Sequence, residues 1–144
     1  MSISILRAEP SDAVETVDLG MRAFKDDPLS RLTMNLDTAT PEQKAQFREW
    51  RIGMSRTRMS GPGKHYFKAI DDSTGEIVGF TGMYAPEGFD IDATWQSPTP
   101  APEFINHDGQ AEFREKQTAA KKKWLGDRKD VWCECCNHFS NDTG

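Results

Sequence analysis

The chain has 144 residues, 36% of them hydrophobic and 28% charged, with a formal net charge of -5. That length predicts one domain, and the acid excess excludes a general nucleic-acid surface. No apolar run reaches the roughly 18 residues of a membrane-spanning helix, so no membrane partner is expected.

The first residues, MSISILRAEP, lack the apolar centre of a secretory signal. All three cysteines lie together near the C-terminus, a spacing unlike a secreted disulfide framework. A cytoplasmic or nuclear location follows. Ile3–Arg7 reads as a short strand, ended by Pro10. Ser11 or Asp12 supplies a cap oxygen for a first helix, and Val14, Val17, Met21 and Phe24 recur on it at helical spacing. Asp27-Pro28 breaks that helix, because the residue before proline avoids the α region. A short helical turn over Leu29–Met34 comes next.

Thr40-Pro41-Glu42-Gln43 opens a second long helix, with threonine as cap, proline at the first helical position and glutamine completing a capping box. Phe47, Trp50 and Met54 form its apolar stripe, and Gly61-Pro62-Gly63 stops it. A hairpin follows, Tyr66–Ile70 against Ile77–Met83, joined by the turn-prone Asp71-Asp72-Ser73-Thr74-Gly75. Alternation places Val78 and Phe80 on one face and Ile77 and Thr81 on the other. Both helical stripes are expected to pack on this sheet.

Residues 84–107 read as a long loop containing Pro86, Pro98, Pro100 and Pro102, functional or mobile at that length. Asp108 can cap a third helix, Gly109–Leu125, with Phe113, Ala120 and Trp124 on one side and Gly126 beyond its end. Lys129–Cys133 reads as the start of a strand. The elements give an α/β (α+β) fold, a mixed, mostly antiparallel sheet of about four strands with three or more helices.

Leu6-Arg7-Ala8, Pro10-Ser11-Asp12-Ala13, Ala23-Phe24 with Asp27-Pro28-Leu29, Ile77-Val78-Gly79-Phe80 and Val131-Trp132 occur in that order. Together they resemble the N-terminal half of the GNAT superfamily of N-acetyltransferases, in the flavour of fungal GNAT-like proteins of unassigned substrate. The resemblance covers residues 1–132 and implies an incomplete GNAT-like fold. It implies acetyl transfer from acetyl-CoA to a small-molecule or peptide amine. The family's Gln/Arg-x-x-Gly-x-Gly/Ala loop, which grips the cofactor pyrophosphate after the fourth strand, does not follow Val131-Trp132; Gly61-Pro62-Gly63 is a breaker between helix and strand. The chain stops at Gly144, where that loop is expected, so this chain is expected neither to bind acetyl-CoA nor to catalyse. Residues 133–144 then form an unstructured or aberrant tail, such as a truncated or mis-spliced reading frame would encode.

Within the resemblance, Glu134 lies near the family's general-base region, while Tyr66 and Tyr84 come too early for its general acid. Asp26 and Asp27 border the acceptor pocket, where negative charge suits an amine; turn chemistry favours the other reading, a turn pair that serves chain reversal, by about two to one. His65 and His107 flank strand or loop ends and are expected in solvent. Lys121-Lys122-Lys123 suits a helix C-terminus, with coenzyme A phosphates as the functional alternative. Cys133, Cys135, Cys136 and His138 carry ligand chemistry for zinc, but they fall within six residues, unlike paired zinc knuckles. Two other classes therefore stand beside the acetyltransferase fragment. One is a non-catalytic interaction protein, homodimeric through an exposed sheet edge. The other is a small zinc-binding protein.

Overall fold

A computed structural model describes residues 2–85, 100–128 and 130–134. Strand β1 (Ile3–Arg7) leads through a 3-10 turn (Pro10–Asp12) into α1 (Ala13–Ala23), α2 (Pro28–Met34) and α3 (Pro41–Met59). The hairpin β2 (Lys64–Asp71) and β3 (Ile77–Tyr84) follows, then α4 (His107–Leu125) and the two-residue β4 (Cys133–Glu134). The order in the sheet is β1-β2-β3-β4, every neighbour antiparallel. The protein is thus a mixed α+β fold whose sheet rests on three strands.

The hairpin forms where the sequence places it, with Tyr66 opposite Gly82 and Lys68 opposite Phe80. Its turn is held by the Asp71 carboxylate, which accepts from the Ser73 N–H at 2.9 Å and the Ser73 hydroxyl at 2.6 Å. Gly75 sits at φ +75, a conformation that favours glycine. Gly82 is needed for a different reason. A Cβ there would come within 2.5 Å of the Tyr66 ring, which lies across it.

Strict alternation along β3 fails at one point. The register slips between Ala69 and Ile70, so Gly79 faces Ala69 while Ile77 faces Ile70. Val78 is the extra residue of a bulge, and the bulge turns Ile77 onto the same face as Phe80. Ile77 is buried at 6% exposure and Val78 is 41% exposed. The Ile77 N–H donates to Glu15 Oε1 of α1 at 3.0 Å, fixing this end of the strand beneath the helix.

The two expected stripes go to different places. On α1 the buried residues are Ala13, Thr16 and Val17, while Val14 and Phe24 lie at its exposed margin. Val17 and Ala13 pack on Ile52 of α3. Phe47, Trp50 and Met54 are buried as expected, but not on the sheet. They join Met34 of α2 and Ile105, with Ala101 and Phe104 packed alongside. Near its end helix α3 meets the sheet, where Met59 touches Ala8 and Tyr66. The reason is that α1 already occupies the sheet face, so the apolar stripe of α3 turns to the next layer.

That layer includes the described end of the long loop. Asn35 Nδ2 donates to the Phe104 carbonyl at 3.2 Å, and Asn106 Nδ2 donates to that of Leu32 at 2.8 Å. Residues 86–99 lie outside the described residues. Capping of α3 follows the sequence closely. The Gln43 N–H donates to Thr40 Oγ1 at 3.2 Å, and the Thr40 N–H to Gln43 Oε1 at 2.8 Å. Helix α4 starts earlier than expected. Its cap is Asn106, whose side chain accepts from the Gly109 N–H at 2.9 Å, and not Asp108. Asn106 wins because its amide can also reach Leu32, which Asp108, already inside the helix, cannot.

The expected stripe of Phe113, Ala120 and Trp124 is not buried. Gln110 is the only buried residue of α4, and Trp124 is 77% exposed. The expected strand from Lys129 shrinks to Cys133–Glu134, opposite Tyr84 and Met83. After Gly126 the chain turns, and Arg128 grips Asp130 by two bonds of 2.9 Å, which takes residues the strand would need. No described helix is long and apolar enough to cross a membrane.

Candidate functional site

A concavity built wholly from described residues lies among α1, α2 and α3. Proline at position 28 ends the turn after α1 and starts α2, and Asp27 caps that start. Its Oδ2 accepts from the Ser30 N–H at 2.7 Å and the Ser30 hydroxyl at 3.0 Å. This sharp connection splays α2 from α1 and leaves a crevice of about 50 Å³. Met34 and Phe47 form its buried floor, and Met21, Phe24 and Leu36 its apolar walls. Lys25, Arg31, Asp37 and Arg51 are the charged residues that line it. A second hollow of about 10 Å³ shares Gly20 and Arg51 and reaches Arg58, Ser55 and Tyr66.

Arg51 and Arg58 were not singled out by sequence, although both are buried, at 8% and 6% exposure. A signal existed. They fall four and eleven residues after Phe47, on the helical face that carries Met54. The Arg51 guanidinium lies 5.9 Å from the centroid of the Phe47 ring, within cation–π range.

Two ion pairs tie α1 and its entry turn to neighbouring elements. Arg48 of α3 grips Asp18 of α1 with bonds of 2.7 and 2.8 Å, a bidentate arrangement. The Arg48 hydrogen bonds hold the Asp18 carboxyl below its ordinary range against the opposing effect of burial. Lys68 of β2 donates to Asp12 Oδ1 at 2.7 Å, with both side chains only about one-sixth exposed (16% and 15%). The Glu9 N–H donates to the other Asp12 oxygen at 2.8 Å. Asp12 therefore serves the sheet and the entry turn rather than capping α1. Burial pushes its carboxyl up, but the Glu9 N–H and the Lys68 ammonium outweigh that and hold it below the usual value of 3.8.

The candidates named from sequence are scattered. Asp26 and Asp27 stand beside the crevice but do not line it. Asp27 is spent on the α2 cap, and Asp26 pairs with Arg31 at 3.2 Å. The turn reading accounts for both. Glu134 and Cys133 lie in β4, while Cys135, Cys136 and His138 fall outside the described residues. Among the described residues no cluster of three His, Cys, Asp or Glu side chains could hold a metal ion. His107 is exposed, whereas His65 is half-buried with its ring 5.6 Å from that of Trp132. Tyr66 and Tyr84 are buried with their hydroxyls 3.3 Å apart. Lys122 and Lys123 lie exposed in the last turn of α4, and Lys123 sits over the Trp124 ring.

No family model matches the chain, and no curated protein matches it.

Proposed function

We propose that this chain is the acceptor-side half of a GNAT-like N-acetyltransferase fold, and that by itself it does not transfer acetyl groups. The observation that carries the reading is the order of elements. One strand, a helical layer and an antiparallel hairpin follow one another, with β1 beside β2 and α1 across one face of the sheet. Relatives with a complete cofactor site would transfer acetyl from acetyl-CoA to an amine, with a positioned base taking the amine proton. The Gln/Arg-x-x-Gly-x-Gly/Ala pattern occurs once, at Arg58–Gly63, but there it leaves helix α3 and enters strand β2, so it does not present the amides of a helix N-terminus to a pyrophosphate.

Calorimetric titration tests this in two arms. The chain alone should bind acetyl-CoA no tighter than about 1 mM. A chimera that continues after Trp132 with the phosphate-loop half of a GNAT enzyme should bind it near 1 μM. Micromolar binding by the chain alone, or a folded chimera that does not bind, overturns the reading.

A second reading, a non-catalytic interaction protein, is favoured by the other face of the sheet. Ile3 and Ile5 of β1 and Met83 of β3 share that face by register, and they are 42%, 65% and 39% exposed. Trp132 is 59% exposed nearby, against His65. Among the described residues the edge of β3 away from β2 is paired only at Met83 and Tyr84. Pairing of two chains along this edge would cover apolar surface. Sedimentation should show a dimer that Met83→Lys disperses, and a monomer at all concentrations removes this reading.

A further inference from the structure

Strand β1 is an outer strand of the sheet, with β2 on its inner side. Two hydrogen bonds at its ends fix which way its backbone points. The Asp72 N–H donates to the Ser2 carbonyl at 3.1 Å, and the Ala8 N–H donates to the Tyr66 carbonyl at 2.9 Å. The register between them is unbroken, from Ile3 opposite Asp71 to Arg7 opposite Phe67. In an antiparallel ladder the N–H and C=O of one residue point the same way, and that direction alternates along the strand. Ser2, Ser4, Leu6 and Ala8 therefore face β2. Ile3, Ile5 and Arg7 turn their backbone groups outward, and among the described residues no strand pairs with them. Proteins usually protect such an edge with a charge, a proline or a bulge. The run from Ile3 to Leu6 has none of these, and Ile3, Ile5 and Leu6 are exposed.

We propose that β1 pairs with β1 of a second copy of this chain, antiparallel about a two-fold axis at Ile5. In this register the strand is its own complement, which is what a two-fold interface requires. Ile5 meets Ile5 of the second copy, and Ile3 meets its Arg7. All three outward residues of each copy then fall in hydrogen-bonded pairs, and each such pair exchanges both of its N–H···O bonds. No other two-fold register pairs all three. The side chains agree with the backbone. Ile3 and Ile5 of both copies gather on the sheet face away from α1. On that face Arg7 marks one end of β1, and Asp71, opposite Ile3, marks the other. The two-fold brings Arg7 of each copy to the end that carries Asp71 of the other, so unlike charges meet at both ends. The inference stands apart from both readings above, since it uses the opposite edge of the sheet from β3 and involves no cofactor.

The test is amide hydrogen exchange of the full chain, read by nuclear magnetic resonance across a concentration series, with sedimentation of the same samples. A dimer should form with a Kd of about 100 μM or tighter. Exchange at Ile3, Ile5 and Arg7 should slow at least about tenfold from dilute to concentrated samples. Ser4, Leu6 and Ala8, already bonded to β2, should change little. Ile5→Lys sets two ammonium groups opposite each other on the axis and should abolish the slowing. Ile5→Pro removes one outward N–H, and proline is tolerated at a sheet edge. It should also abolish the slowing, while the hairpin of β2 and β3 keeps its protection. Met83→Lys, at the opposite edge, should leave the slowing unchanged. A monomer at all concentrations overturns the proposal. So does slowing that Met83→Lys removes, or slowing that survives both Ile5 variants. An equal change at Ser4 and Leu6 overturns it too, because it marks general stabilisation and not pairing along this edge.

Discussion

Helices α3 and α4 have 19 residues each and begin with a side-chain cap, yet they are embedded in opposite ways. Seven residues of α3 are buried, against Gln110 alone in α4. Helix α3 lies between α1 and the layer made by α2 and the segment around Ile105, so both its flanks find apolar partners. Helix α4 touches α2 through its first turns, and the part that carries Lys122, Lys123 and Trp124 stands in solvent. Caps and intrinsic propensity start both helices. Only α3 is held along its length by packing, which is where most helical stability in proteins comes from.

Six substitutions would break or sharpen that contrast. The largest effect is expected in the core of α3. Phe47→Ala should cost about 3–5 kcal/mol through the cavity it leaves among Met34, Trp50 and Ile105. Trp124→Ala on α4 should change stability by less than about 0.5 kcal/mol. Urea denaturation measures both, and a similar loss for the two would abolish the distinction drawn here.

Next comes the pair that ties the helical entry to the sheet. Asp12→Ala leaves Lys68 and the Glu9 N–H without their acceptor and should cost about 2–3 kcal/mol, the range for hydrogen bonds to a charged group. The wild-type carboxyl titrates below 3.8 when folded. Its contribution is therefore complete above the unfolded value and lost as pH falls through the lower folded one. The stability gap between wild type and Asp12→Ala should hold from pH 7 to about pH 5 and close below pH 4. A gap that stays constant down to pH 2 would show that the carboxylate charge is not what stabilises this corner.

The caps come third. Thr40→Ala on α3 should cost about 1 kcal/mol. Asn106→Ala should cost at least as much, because it also frees the Leu32 carbonyl. The two losses differ in reach. Hydrogen exchange should show Thr40→Ala loosening only the first turn of α3, while Asn106→Ala speeds exchange throughout α4, which has few other anchors. Uniform slow exchange along α4 in the variant would mean that it is held elsewhere.

The smallest effect has the opposite sign. Gly20 sits inside α1, and an added Cβ would meet the Phe80 ring at 3.8 Å, an ordinary contact. Gly20→Ala should therefore stabilise by about 0.5–1 kcal/mol through helix propensity alone. Thermal unfolding reads the shift, and a destabilised variant would show that the hollow shared by Gly20 and Arg51 needs its room.

Local signals were readable in the chain itself, because each depends on neighbours in sequence. The capping box at Thr40 and Gln43, the turn from Asp71 to Gly75, the hairpin that begins near Tyr66 and the stop at Gly126 need only backbone geometry and adjacent side chains. The mixed α+β class follows from their order. What Phe47, Trp50 and Met54 would pack against was not readable. A stripe of three apolar residues states that a face is buried, not which surface buries it, and here α1 had taken the sheet. The bulge at Val78 was hidden for a similar reason. Alternation assumes an unbroken ladder, and only the Glu15 bond to Ile77 and the cover of α1 make the slip favourable. The crevice and its charge are the clearest case. Asp26 and Asp27 looked like its acids, but hydrogen bonds to Ser30 and Arg31 occupy them. Lys25, Arg31 and Arg51 meet at one opening only because a proline-started α2 turns away from α1.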